Sequence, residues 1–177
     1  MGADTDPINA ALAAEGIRSL EAGLPKVVTD PFDLDGREHA LYAAYLSATA
    51  FASAGSGLHH KICHVLGGKY NLPHAQTHAV VLPYVLAFNS PRAPEAERRI
   101  AGAFGTNRAI DGLQDLRREL DAPRALRDFG FSEDSIPEAA DAILPAVPPS
   151  NPRPVTADDL RRLLRAAWSG ADPKEEI

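Results

Sequence analysis

The sequence predicts an all-α protein, a helical bundle without a β-sheet. Apolar residues recur at spacings of three and four along most of the chain, which is the period of an amphipathic helix. No segment alternates apolar and polar residues as a half-buried strand does, and no hairpin dipeptide separates two apolar runs. Gly67-Gly68-Lys69 lacks the preceding strand and the spaced first glycine of a phosphate-binding loop. We therefore expect one helical domain over 1–177, with a histidine-bearing core at 7–90 and peripheral helices at 91–177.

The first predicted helix starts at Asp6-Pro7, a capping residue followed by proline at the first helical position, and ends at Asp30-Pro31. Residues at spacings of three and four form its apolar stripe: Ala13, Ile17, Leu20, Leu24 and Val27.

The second predicted helix starts at a capping box formed by Asp35 and Glu38, and the Gly55-Ser56-Gly57 break ends it. Its expected inward face consists of Leu41, Tyr45, Ala48 and Ala52.

The third and fourth predicted helices are short and close together in sequence. The third covers 58–66 and stops at Gly67-Gly68, because glycine readily adopts the left-handed conformation that ends helices. The fourth covers 74–88, with a kink or a restart at Pro83.

The remainder of the chain is more polar. Helices are predicted over 94–104, 110–120, 133–144 and 157–169, with Ser132 and Thr156 as caps of the last two. The proline-rich stretch 145–154 should be extended at the surface.

Composition excludes several functional classes. The net charge of -6 gives no general affinity for nucleic acid or for an anionic membrane, and no apolar run is long enough to cross a bilayer. The N-terminal residues are too polar for a signal peptide, so a cytoplasmic location is expected. The single cysteine, Cys63, rules out an internal disulfide, and we interpret it as a small buried hydrophobe.

Five of the six histidines lie within twenty residues of one another, and only His39 stands apart. The clustered ones are His59, His60, His64, His74 and His78. Residues four apart share one helix face, so His60 projects with His64 and His74 with His78. The Gly-Gly break and Pro73 allow the fourth helix to turn back on the third. Such a cluster suits a divalent transition metal or an acidic substrate, and spacing alone does not decide between them.

The stretch 57–89 resembles the signature of maleylacetate reductases, GLHHKICHVLGGKYNLPHAQTHAVVLPYVLAFN. The wider superfamily of iron-dependent alcohol dehydrogenases shows a histidine, three residues, a histidine, a Leu-Gly segment and then Pro-His. Here that pattern falls on His60, His64, Leu66-Gly67 and Pro73-His74. The resemblance covers nearly the whole chain, since 7–31 and 151–156 also look like segments of the family.

The resemblance implies the C-terminal helical domain of this superfamily and assigns roles residue by residue. The metal positions fall on His60 and His74, which would hold iron or zinc, and His64 matches a histidine near the substrate and the nicotinamide. Catalytic roles are thus implied for His60, His64 and His74. The reductase version of the motif adds His59, Lys61 and His78, which would help to bind a dicarboxylate substrate.

The chain also departs from the pattern. Superfamily members carry an aspartate and a further histidine as metal ligands upstream of the segment that matches Pro7, and this chain begins after that point. No stretch of these residues resembles the family's nucleotide-binding α/β half, which we expect on a separate chain. NAD(P)H would therefore act only through a missing partner half.

Three hypotheses follow. The chain is one part of a split reductase that works with a separate nucleotide-binding chain and reduces maleylacetate to 3-oxoadipate. Alternatively, it is a stand-alone enzyme in which the histidines perform redox-free acid–base chemistry on a small acid or carbonyl compound. In the third hypothesis it is a non-catalytic binding or oligomerisation module, a homo-oligomer included, because apolar helix faces are left uncovered.

Overall fold

The computed structural model describes residues 6–174, and the polar segment weighed as a signal peptide lies mostly outside them. None of the described residues lies in a β-strand, so the all-α prediction is confirmed for them. The α-helices in chain order are α1 Pro7–Thr29, α2 Leu34–Ala54, α3 Leu58–Tyr70, α4 His74–Asn89, α5 Pro94–Ala103, α6 Ala109–Glu119, α7 Ile136–Ile143 and α8 Ala157–Ser169. Between residues 6 and 174, no helix has both the length and the apolarity needed to cross a membrane.

The chain divides into two compact units, each built from two stretches of sequence. Within the described residues, the first unit contains the chain up to Gly55 together with Ala93–Asp121, and so holds α1, α2, α5 and α6. The second contains Ser56–Arg92 and the chain from Ala122 onward, and holds α3, α4, α7 and α8. Each unit thus takes residues from both the expected core and the expected periphery.

In the first unit, α1 and α2 approach so closely that small residues line the contact. A Cβ atom on Gly23 would lie 2.7 Å from the Cβ of His39 and 2.8 Å from the carbonyl oxygen of Gly36. Asn9 Nδ2 donates a hydrogen bond to Ser53 Oγ at 2.8 Å and so joins the two helices. The predicted apolar stripe of α1 is only half-buried, and the buried positions of this helix are Asn9, Ala10, Gly16, Ser19 and Gly23.

The predicted inward face of α2 is wrong. Leu41 is 73% exposed and Tyr45 is 69% exposed, and Ala48 and Ala52 are exposed as well. The buried residues of α2 are Gly36, Ala43, Leu46 and Ala50. Apart from Leu46, the buried positions of α2 hold glycine or alanine, because a larger side chain does not fit where the backbones of α1 and α2 come close. Other bulky apolar residues of α2, Leu41 and Tyr45 among them, face outward.

The predicted start of α2 is also wrong by two residues. The cap is Asp33, whose carboxylate accepts a hydrogen bond from the backbone N–H of Gly36 at 2.5 Å. Asp35 lies in the first turn and forms an ion pair with Lys26.

The second unit has a core of large apolar side chains. Tyr84 and Trp168 anchor its edge, since Tyr84 Oη donates to the carbonyl of Ala171 at 2.9 Å and Trp168 Nε1 to that of Phe131 at 3.0 Å. The principal core residues are Ile62, Leu66, Val80, Val81, Phe88, Leu126, Ile136, Ile143, Leu160, Leu163 and Leu164.

Several predicted helix ends are confirmed and others are corrected. Asp6 caps α1, and Thr156 with Asp159 forms a capping box at α8. Helix α3 does not stop at Gly67-Gly68 but continues to Tyr70, where Asn71 takes the left-handed conformation with φ 53°. Helix α4 passes through Pro83 without a restart.

The predicted helix 133–144 is α-helical over Ile136–Ile143, and a 3₁₀ segment lies on each side of this helix. Glu133–Ser135 and Leu144–Ala146 are 3₁₀ segments, and Ser132 makes no side-chain capping hydrogen bond. Pro137 in the first turn of α7 is compatible with a helix start at Ile136 but not with one at Glu133, from which residue 137 would have to donate an N–H that proline lacks.

Candidate functional site

The candidate site is built on α3 and α4 of the second unit. The connection between them is short: Asn71 ends α3, and Pro73, with φ -63°, precedes the first residue of α4. The side chain of Thr77 is buried and donates from Oγ1 to the carbonyl of Pro73 at 2.8 Å. This bond secures the first turn of α4, the turn that carries His74.

The five clustered histidines do come together, and His78 stands at their centre. Its ring centroid lies 4.7 Å from that of His59, 4.9 Å from that of His60 and 4.3 Å from that of His74. The prediction that His74 and His78 project together is therefore confirmed, since their rings are in contact. His60 and His64 are farther apart, with ring centroids separated by 6.2 Å.

The expected site residues differ in their access to solvent. His64 and His74 are exposed, whereas His59, His60, His78 and Lys61 are half-buried. The sixth histidine, His39, belongs to the first unit and lies 3.9 Å from Asp35.

Burial keeps the inner imidazoles neutral. It lowers the pKa of His59 to about 4, although the hydrogen bond to the backbone of His78 opposes the change. Burial, with added repulsion from His74, lowers the pKa of His78 to about 4. The pKa of His60 is lowered by burial first and then by neighbouring positive charges, Lys61 among them. At neutral pH these rings can donate or accept hydrogen bonds, and Lys61 supplies a positive charge beside them.

Cys63 is 1% exposed, which confirms that it is a buried residue. Burial raises the pKa of its thiol to about 12, so the free thiol is a poor nucleophile at neutral pH. Sequence reasoning overlooked one relation: His59 and Cys63 are four residues apart and share a face of α3. That spacing was visible in the sequence, but its partner His78 lies on another helix.

The described residues do not supply a full set of ligands for the iron ion that the resemblance implies. His60 and His74 both contact His78, but no third histidine, cysteine or carboxylate between residues 6 and 174 forms a metal-ligand group with them. Two imidazoles alone do not make the four-ligand site that the resemblance implies. The residues described here therefore do not fit iron by themselves.

A family model and individual relatives place this chain in the same protein family. Residues 1–168 match the family described as Fe-containing alcohol dehydrogenase family, C-terminal. A maleylacetate reductase from Burkholderia cepacia is 43% identical over 170 residues, which are 96% of this chain and 48% of that protein.

Solved structures agree with this match. An iron-containing alcohol dehydrogenase from Corynebacterium glutamicum superposes with a TM-score of 0.97 at 62% identity, covering 99% of this chain and 49% of that one. Maleylacetate reductase from Rhizobium sp. strain MTP-10005 gives a TM-score of 0.91 at 40% identity, covering 97% of this chain and 49% of that one. The chain thus spans about half the length of the relatives it matches, and it belongs to the iron-containing alcohol dehydrogenase family, whose C-terminal helical domain it represents.

Proposed function

We propose that this chain is the substrate-side half of a maleylacetate reductase-like oxidoreductase, which reduces maleylacetate to 3-oxoadipate with NAD(P)H held by a nucleotide-binding half. The observation that carries the proposal is the contact of three histidine rings, His59, His60 and His74, with the ring of His78, in a chain 43% identical to a maleylacetate reductase. The nicotinamide would supply the hydride. The residues of this chain would bind and orient the substrate and handle the proton.

The chemistry of the site suits a dicarboxylate that carries a conjugated ketone. Reduction adds a hydride and a proton across the carbon–carbon double bond, and the reaction is easier when the ketone oxygen is hydrogen-bonded. His60 and His74, as N–H donors, would polarise that oxygen. His64 is exposed and so can exchange a proton with solvent, which suits a proton relay.

Substrate binding would depend on charge as well as on hydrogen bonds. The inner imidazoles His59 and His78 are neutral at pH 7 because burial lowers the pKa of each to about 4. Neutral imidazoles do not neutralise the charge of a carboxylate. We assign that role to Lys61, whose charge already acts on His60.

A fused protein tests the proposal. The nucleotide-binding half of a maleylacetate reductase is joined before this chain, and the loss of NADH absorbance is followed with maleylacetate. We expect maleylacetate-dependent oxidation by the fusion and none by either half alone. His64→Ala should lower kcat by about 10²–10⁴-fold, the range of general acid–base catalysis.

His39→Gln is the matched control, since His39 lies outside the second unit. It should leave the rate of the fusion unchanged. A folded fusion that binds NADH but does not oxidise it with maleylacetate would refute the proposed function. Turnover of a small acid by the chain alone, without nicotinamide, would instead favour the redox-free alternative.

A further inference from the structure

A second set of potential metal ligands lies beside the residues that the family pattern singles out. One nitrogen of His59, one nitrogen of His78 and the sulfur of Cys63 lie within 4.8 Å of one another. Among the described residues this is the set of three donors that comes close enough to share an ion. None of the three coincides with His60, His64 or His74.

The three donors are held by two rigid elements. His59 and Cys63 are four residues apart on α3, so they project from one face of that helix. His78 reaches them from α4, and α3 and α4 share the core of the second unit. Such a pairing of one helix face with a single residue from a neighbouring helix gives three ligands that need little rearrangement.

The hydrogen bonding of His59 is that of a ligand held in place by its surroundings. His59 Nε2 lies 3.0 Å from the carbonyl oxygen of His78, which can only accept, so Nε2 carries the proton. The Nδ1 lone pair is then the one left for another partner. A metal-ligating imidazole commonly donates its second N–H to a carbonyl or carboxylate in this way.

His78 supplies an independent indication. Its Nε2 atom is buried and has no hydrogen-bond partner in the described protein. An unpartnered polar atom inside a protein costs free energy, and each such atom in a native structure calls for a cause. A bound cation would satisfy this nitrogen.

We propose that His59, Cys63 and His78 form a zinc site, distinct from the metal positions of the family pattern. Two imidazoles and one thiolate are ligands that zinc prefers, and three protein ligands leave a fourth position open for water. On binding, Zn²⁺ replaces the thiol proton of Cys63, which passes to solvent. One proton is released per ion, and no electron is transferred.

The geometry requires a modest contraction. In a tetrahedral zinc site the donor atoms are about 3.3–3.8 Å apart, as Zn–N distances of about 2.0 Å and Zn–S distances of about 2.3 Å require. The donor atoms now lie within 4.8 Å of one another, and rotation of the three side chains would bring them closer. Rotation of the His78 ring is the easiest, because its Nε2 atom has no hydrogen bond to break.

Cobalt provides a direct test. The purified chain is stripped with a chelator and titrated with Co²⁺, and the near-ultraviolet absorption is recorded. We expect a sulfur-to-cobalt charge-transfer band that saturates at one ion per chain and disappears when Zn²⁺ is added. This measurement needs no variant, so it does not depend on whether a substituted chain folds.

Variants then locate the site. Cys63→Ser should remove the band, and His59→Gln and His78→Gln should each weaken Co²⁺ binding at least tenfold. His64→Gln is the matched control and should keep both the band and the affinity. The readout is independent of reductase activity, so failure of the proposed function would leave it intact.

Two results would overturn the proposal. One is the absence of any charge-transfer band at saturating Co²⁺, which would show that Cys63 is not a ligand. The other is metal binding that survives Cys63→Ser but is lost in His60→Gln or His74→Gln, which would place the ion on the family positions instead.

Discussion

The two units of the chain are both helical but are packed by different means. In the first, the buried positions of α1 and α2 are mainly small residues, with Leu46 as the large apolar side chain among them, and a Cβ atom on Gly23 would overlap its neighbours. In the second, large apolar side chains such as Leu66 and Phe88 fill a common core. Hydrophobic periodicity locates helices in both units, but it identifies the buried face only where large side chains provide the packing.

The largest expected effect comes from the core of the second unit. Leu66 on α3 is fully buried, so Leu66→Ala removes apolar contacts and leaves a cavity. We expect the free energy of unfolding to fall by about 2–5 kcal/mol. Urea denaturation followed by circular dichroism measures the change.

Leu82→Ala on α4, a position 37% exposed, is the control and should cost less than half as much. Equal losses would mean that this unit is not held by its core.

The next effect tests the close approach in the first unit. Gly23→Ala places a methyl group where His39 Cβ and the Gly36 carbonyl already lie, at 2.7 and 2.8 Å. The helices must separate, at a cost of about 1–3 kcal/mol, measured by thermal unfolding.

Gly102 on α5 is the matched control in the same unit, because a Cβ there would meet nothing within 4 Å. Gly102→Ala should be neutral or stabilise by about 0.5–1 kcal/mol through helix propensity. A destabilisation as large as that of Gly23→Ala would show that the close contact is not the cause.

Local sequence rules succeeded where the physics is local. The caps at Asp6 and Thr156 were predictable because a side chain and the backbone two or three residues onward decide them. Gly67-Gly68 was misread as a helix end, although α3 runs on to Asn71. Glycine weakens a helix but does not end it when tertiary packing favours continuation.

The site was predictable in part for the same reason. The pair His74 and His78 follows from helical spacing alone. The central position of His78, in contact with His59 and His60 on another helix, depends on how α3 and α4 are placed. The donor set with Cys63 was missed because a buried cysteine is most simply a small apolar residue.

A pH titration of stability should register the buried imidazoles of the second unit. His59 has a folded-state pKa of about 4, against an ordinary value near 6.5. Between these values the unfolded chain binds a proton that the folded chain does not, so stability is full above pH 6.5 and falls as the pH drops to about 4.

His59→Gln should reduce the loss of unfolding free energy at low pH by about 1–2 kcal/mol. This is less than the full pKa shift of His59 would give, because the ring keeps some access to water. Urea midpoints at pH 7 and pH 4.5, with a chelator present, measure it. His78 has the same sign, so the variant retains part of the dependence. An unchanged difference between the two pH values would show that His59 is not buried as described.

The smallest expected effect lies on the outward face of α2. Leu41 is 73% exposed, so Leu41→Gln should change the free energy of unfolding by no more than about 0.5 kcal/mol. Leu46 is 5% exposed, so Leu46→Gln should cost several times more.

The measurement is made at two protein concentrations tenfold apart. A loss at Leu41 that grows with concentration would mean that another copy covers this face, because association stabilises a folded chain by mass action. A concentration-independent small loss would mean that the bulky apolar residues of α2 face water, and that close packing by small residues is enough to hold α1 and α2 together.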